Sequence, residues 1–267
     1  MKNLFIYFGL TLFMLTSCKE KIEVEMENAE PLLVVEAEVT TETDSSYVRL
    51  TLSSNYYSSE PNPIVKTASV SINNIPFTFV PATNNYKAPA GFIGKTDTIY
   101  NLLISYNGKE YKSQAKLEPM FQVDSFFQTW KEAQGFLPAG YALSYAAFDA
   151  RTPIKYTYYQ QFLYDSISKS DTTDGNLIFF DNSLTPINQA YNFEIPFLRL
   201  NAGAEYVAIF KSVDKNMYEF LNAFANQNPD IPGPFQVPPA NLPTNVTGGA
   251  VGYFATYDVK RWRYKVR

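Results

Sequence analysis

Histidine is absent from the 267 residues and cysteine occurs once. These two gaps exclude Ser-His-Asp and Cys-His catalysis, histidine-based metal sites, cysteine clusters and internal disulfides. Charged residues make up only 18%, and a net charge of −4 with a pI near 5.1 gives nucleic acid no electrostatic foothold. Beyond the N-terminal region, no stretch approaches the roughly 18 uninterrupted apolar positions of a membrane-spanning helix. What is present is a globular composition, 46% hydrophobic, with 20 Tyr, 21 Phe and 2 Trp. A chain of this length builds a core without disulfide staples.

Lys2 precedes an apolar run from Leu4 to Leu15. As a helix these residues rise about 18 Å against a hydrocarbon thickness of about 30 Å, so residues 1–17 read as a signal peptide and not as an anchor. Leu15-Thr16-Ser17-Cys18 resembles the bacterial lipobox, which implies that Cys18 is lipidated and becomes the mature N-terminus. Residues 18–30 carry Glu20, Glu23, Glu25, Glu27 and Glu30 against Lys19 and Lys21, a charged tether that stays solvated. Lys19 is not the aspartate of inner-membrane retention, and the Lys-Glu start resembles the surface-export signals of Bacteroidota lipoproteins. The expected location is the outer membrane, lipid-anchored, with surface exposure left open.

From Leu32 the pattern changes to period two. Leu33, Val35, Ala37 and Val39 share one face; Val48, Leu50 and Leu52 form a second alternating set, and Ala68, Val70 and Ile72 a third. Tyr100, Leu102, Ile104 and Tyr106 lead into Asn107-Gly108 and then Tyr111, Ser113, Ala115 and Leu117, a hairpin with a type I′ turn. With no helical pattern between 31 and 118, this segment is expected to form an immunoglobulin- or transthyretin-like antiparallel sandwich, closed by Pro119. Met120 to Ser125 reads as the link to the rest.

Residues 119–267 are expected to form a second, aromatic-rich β domain. Strands are predicted at 141–148, 154–164, 177–181, 191–197 and 206–210, with the Asp171-Thr172-Thr173-Asp174-Gly175 cluster as a turn between two of them. One amphipathic helix is predicted near 215–227: Asp214 is its N-cap, and Met217, Phe220, Leu221 and Phe224 lie on one stripe. Six prolines between 229 and 243 then impose an extended loop. Gly248-Gly249 introduce a strand at 251–257, and Trp262, Tyr264 and Val266 alternate with Arg261, Arg263, Lys265 and Arg267 on a final basic-faced strand. The fold class is therefore mainly β.

The lipobox cysteine, Leu33-Val34-Val35-Glu36-Ala37, Asn107-Gly108-Lys109-Glu110-Tyr111, Tyr218-Glu219-Phe220-Leu221 and Asn245-Val246-Thr247-Gly248-Gly249-Ala250-Val251-Gly252-Tyr253-Phe254 together resemble an uncharacterised family of Bacteroidota outer-membrane lipoproteins. The last motif is the most specific. Such proteins are typically encoded beside TonB-dependent receptors, so the resemblance implies a non-catalytic accessory role in nutrient uptake, binding a ligand or the receptor. The alternatives are a structural envelope or surface-assembly lipoprotein, or a carboxylate-based glycan hydrolase.

No catalytic, cofactor or metal residues are assigned. Asp149, Asp165, Asp174 and Asp181 stand at predicted strand ends, where aspartate commonly bonds a turn. Asp171 to Asn176 is oxygen-rich but lacks EF-hand spacing, and the Asn245-Val246-Thr247 sequon is incidental in a bacterial lipoprotein. The Arg261–Arg267 face either blunts an edge strand or meets an acidic partner. Partner docking is placed on Phe235, in the proline-rich loop, and on Tyr253 and Phe254.

Overall fold

The computed structural model describes residues 30–54, 60–149, 155–165, 170–183, 185–196, 198–225 and 242–267, with backbone alone for 158–165 and 170–179. It is mainly β. The predicted alternation of the first half is realised as β1 (Leu33–Thr40), β2 (Tyr47–Leu52), β3 (Ser69–Ile72), β4 (Ile75–Val80), β5 (Asn85–Lys87), β6 (Thr98–Tyr106) and β7 (Lys109–Leu117). Every second side chain of β1 and of β7 points inward, as period two requires. Asn107 and Gly108 have φ of 49° and 74°, the positive pair a type I′ turn needs, and Asn73 and Asn74 at 48° and 63° make a second such turn between β3 and β4.

These seven strands do not complete their own sheet. The eighth is β14 (Val251–Tyr257), which lies parallel to β1, with Val35 opposite Gly252 and Ala37 opposite Phe254. The order is β14-β1-β2-β5-β4-β3-β6-β7, and the sheet curls until its two ends nearly meet. Residues just before β14 close the gap: the Thr247 amide donates to the Lys112 carbonyl (2.8 Å) and the Ser113 hydroxyl to the Asn245 carbonyl (2.8 Å). The expected antiparallel sandwich is thus a nearly closed barrel with one parallel pair. Its interior is filled by Val35, Val39, Leu50, Ile72, Leu102, Ile104, Leu117 and Phe254.

The stretch expected as a link is core. Met120 and Phe121 are buried, and β8 (Gln122–Lys131) begins at once. Strands β8, β9 (Gly140–Phe148) and β12 (Ala190–Glu194) form a three-stranded sheet; β10 (Tyr156–Asp165), β11 (Ser170–Asp181), β13 (Glu205–Val213) and β15 (Val259–Lys265) form one of four strands. The Asp171–Gly175 run, expected as a turn, lies inside β11. Pairing passes from Gln160–Leu177 to Phe162–Thr173, so it forms a bulge in a continuous strand.

The predicted helix is α1 (Lys215–Ala225), and Asp214 caps it: its Oδ1 accepts the Met217 amide at 2.7 Å. Met217 and Leu221 are buried, and Phe220 meets the Tyr253 ring at 4.9 Å. Phe224, placed on the same stripe from sequence, is 53% exposed. Strand β13 is buried on both faces. Tyr206, Ala208 and Phe210 join a second core, while Val207 and Ile209 join a third core with α1 and with Tyr253, Ala255 and Tyr257 of β14. β14 is therefore a shared wall: Phe254 faces the barrel, and its neighbours face the sheet and helix beyond.

Asp258, between β14 and β15, ties these layers together. One carboxylate oxygen accepts the Met120 amide (2.9 Å) and the other the Thr41 hydroxyl (3.0 Å), and its own amide donates to the Ser212 hydroxyl (2.8 Å). At 5% exposure this carboxylate needs those partners.

Candidate functional site

Of the residues singled out from sequence, Cys18, Phe235 and nearly all of the proline-rich loop lie outside the described residues. Tyr253 and Phe254 are described and are interior, at 8% and 0% exposure, which removes them as a docking surface. The cause is the strand period: flanked by two cores, β14 has no solvent-facing side over this stretch. Burial pushes the Tyr253 phenol above its usual ionisation range, with Asp214 and Glu219 adding to the shift.

The motif leading to these residues is a clasp. Asn245 donates through Nδ2 to the Phe254 carbonyl (2.7 Å) and accepts the Phe254 amide at Oδ1 (2.9 Å), so the sequon side chain is engaged within the fold. Gly252 has φ of 102°, and a Cβ there would sit 2.0 Å from the Val35 carbonyl oxygen. A Cβ on Gly248 would sit 2.5 Å from that of Glu110. The glycines are needed because the backbone of β1 lies directly against Gly252 and that of β7 against Gly248.

The basic face of β15 is paired within the chain. Arg261 forms a forked contact with Glu42, and Arg263 reaches Glu205 at 3.3 Å. The Arg261 guanidinium holds the Glu42 carboxyl below its usual range. Among the described residues no group of three or more His, Cys, Asp or Glu side chains lies close enough to hold a metal ion.

The aromatic half does contain a cavity. About 470 Å³ opens between the two sheets, with Tyr145 on β9, Phe210 on β13 and Ile195 buried at its base. Phe180, Tyr191, Phe193, Pro186 and Pro196 form its walls, and Asp181, Thr185 and Asn192 are its polar residues besides the two tyrosines. The Phe180 and Phe193 rings stack at 11° with centroids 6.3 Å apart, and Tyr145 meets Phe210 edge to face at 5.4 Å. These rings come from four different strands or strand ends. Only the aromatic density of the second half hinted at such a site.

Asp149 and Asn182 do not line the cavity but hold the loop that carries Thr185. Asp149, 1% exposed, accepts from the Asn182 amide and from the Thr185 hydroxyl (3.4 Å), while Asn182 Oδ1 accepts the Lys155 amide (2.8 Å). The strand-end aspartate read as a turn residue is thus a buried staple that fixes the cavity loop. Asp181 does fit the turn reading: its Oδ1 accepts the Ser183 amide at 2.8 Å. For Asp165 and Asp174 the side chains lie outside the described residues.

A larger depression of about 900 Å³ lies on the barrel exterior beside Asn73, Asn101, Gln114 and Thr247. Its amides already satisfy one another, Gln114 donating to Asn101 (2.8 Å) and Asn101 to Asn73 (3.2 Å). It is an open polar face, whereas the aromatic cavity is recessed and largely apolar, the usual character of a small-molecule site.

A family model described as "Domain of unknown function (DUF4249)" matches residues 19–263, and the chain belongs to that family. No curated protein matches the chain.

Proposed function

We propose, with that family membership as premise, that the chain is a lipid-anchored outer-membrane lipoprotein without catalytic activity that assists a TonB-dependent receptor in nutrient uptake. In this reading it captures a small ligand in the aromatic cavity. The recessed cavity of about 470 Å³ carries the proposal, because its size and its apolar lining with few polar groups suit a captured small molecule. The address rests on Lys2, the Leu4–Leu15 run, Leu15-Thr16-Ser17-Cys18 and the charged tether that follows. Among the described residues no helix is long and apolar enough to cross a membrane, so attachment in this reading falls to lipid on Cys18. Glycoside hydrolysis normally needs two carboxyl groups flanking the bond, and among the described residues Asp181 is the one carboxylate lining the cavity.

The test is affinity capture of the tagged full chain from native membranes, beside a Cys18→Ser variant, with metabolic labelling by a palmitate analogue. The expected result is a labelled wild type that brings down an outer-membrane receptor, and an unlabelled variant released from membranes. Capture of envelope-assembly components without a receptor would support the structural alternative and overturn the uptake reading.

A further inference from the structure

The cavity lining is selective about charge and polarity. Among the described residues its lining holds no lysine or arginine, so a carboxylate or phosphate entering it would give up hydration and meet no counter-ion from them. Besides the tyrosines Tyr145 and Tyr191, the lining has among the described residues only Asp181, Thr185 and Asn192 as polar residues, few for the many hydroxyls of a sugar, each of which needs a partner when buried. The walls are ring faces: Phe180 and Phe193 lie nearly parallel, and Tyr145 and Phe210 meet edge to face beneath them. Flat surfaces of this kind are complementary to a flat ring. Among the described lining residues the one formal charge is the Asp181 carboxylate, held in orientation by the Ser183 amide on Oδ1. That charge favours a positive group, and the neighbouring aromatic faces attract one as well.

We propose that the cavity binds a planar aromatic molecule bearing a single positive group, its ring against Phe180, Phe193 and Phe210 and its cation at Asp181. This deepens the ligand-capture reading and rests on it. The ligand class is an arylalkylammonium ion, an aromatic ring carrying its protonated amine on an alkyl arm, and not a sugar, a fatty acid or an aromatic acid. Phe193, 39% exposed, is the aromatic wall residue most open to solvent and stacks on Phe180. The buried Asp149–Asn182 contact holds the loop carrying Thr185, so the polar end is fixed by the fold before any ligand arrives.

The experiment is isothermal titration of the full chain with four probes: tryptamine, 3-methylindole, indole-3-acetate and maltose. Tryptamine is expected to bind at least tenfold more tightly than indole-3-acetate, with 3-methylindole between them and no heat from maltose. Asp181→Asn keeps an acceptor for the Ser183 amide and is expected to abolish the tryptamine preference while leaving 3-methylindole unchanged. Phe193→Ala is expected to weaken both indoles without moving the melting temperature by more than a few degrees. Equal or tighter binding of indole-3-acetate, binding of maltose, or an unchanged tryptamine preference in Asp181→Asn would overturn the ligand class. If 3-methylindole binds and tryptamine gains nothing, the class fails while ligand capture stands. If no probe binds, the class again fails, and receptor capture from membranes decides the uptake reading independently.

Discussion

Replacing Phe254 by alanine separates a wall residue from a docking residue. Its ring is fully buried in the barrel core, and truncating a buried phenylalanine costs about 3–5 kcal/mol in lost transfer energy and residual cavity. With a urea dependence of about 3 kcal/mol per molar for a chain of this size, the unfolding midpoint should fall by about 1–1.7 M. The informative readout lies in the other half of the molecule. In a Trp130→Phe background Trp262 is the one remaining tryptophan, and its ring packs on Phe210 at 5.3 Å and on Phe126 at 5.8 Å. Because Tyr253, Ala255 and Tyr257 of the same strand line the third core, loss of Phe254 should move Trp262 fluorescence and far-ultraviolet circular dichroism together. A Trp262 midpoint that stays in place while the dichroism midpoint falls would refute the shared wall. A shift below about 0.3 M in both would refute the burial of Phe254.

Other substitutions probe the same frame. Gly252→Ala places a methyl 2.0 Å from the Val35 carbonyl and should lower the urea midpoint at least as much as Phe254→Ala. Gly249→Ala meets open space and should cost only the strain of positive φ, about 1–2 kcal/mol; equal losses for the two variants would refute the steric reading. Asp258→Ala removes a buried carboxylate that accepts two hydrogen bonds, and each such charged bond is worth about 1.5–3 kcal/mol; a melting temperature within a degree of wild type would exclude that role. Burial pushes the Glu38 carboxyl above its usual range, with Glu36 and Glu42 adding and Lys211 and Lys87 opposing. The native state therefore holds that proton more tightly than the unfolded chain, and ionised Glu38 lowers stability at pH 7. Glu38→Gln should raise the urea midpoint at pH 7, and its advantage should vanish near pH 4; an equal advantage at both would contradict the sign.

Local chemistry is legible in the sequence. Asn107-Gly108 specifies its turn through two positive φ angles, the alternation in β1 and β7 specifies an inward face, and Asp214 specifies a helix start. What escaped is what depends on distant neighbours. Tyr253 and Phe254 sit in a short apolar strand that sequence alone does not distinguish from an exposed anchor, because burial on both sides is supplied by β1, β13 and α1. Asp149 looked like any strand-end aspartate, since its partners Asn182 and Thr185 lie more than thirty residues away. The cavity was unreadable for the same reason: Phe180, Phe193 and Phe210 are ordinary strand aromatics until two sheets bring their rings together.

The parallel pairing of β14 with β1 also sets an order of events during folding. Thr41 and Asp258, which bond beside that pair, are 217 residues apart in the chain. Closing so long a loop is entropically slow, and topologies rich in such pairings fold late. Until β14 arrives, β1 keeps one backbone edge open, and an unpaired edge is a template for pairing with other chains. The first seven strands are thus synthesised well ahead of the strand that covers them. When β14 does dock, the close approach at Gly252 demands a glycine opposite Val35, so the final closing step depends on that one position.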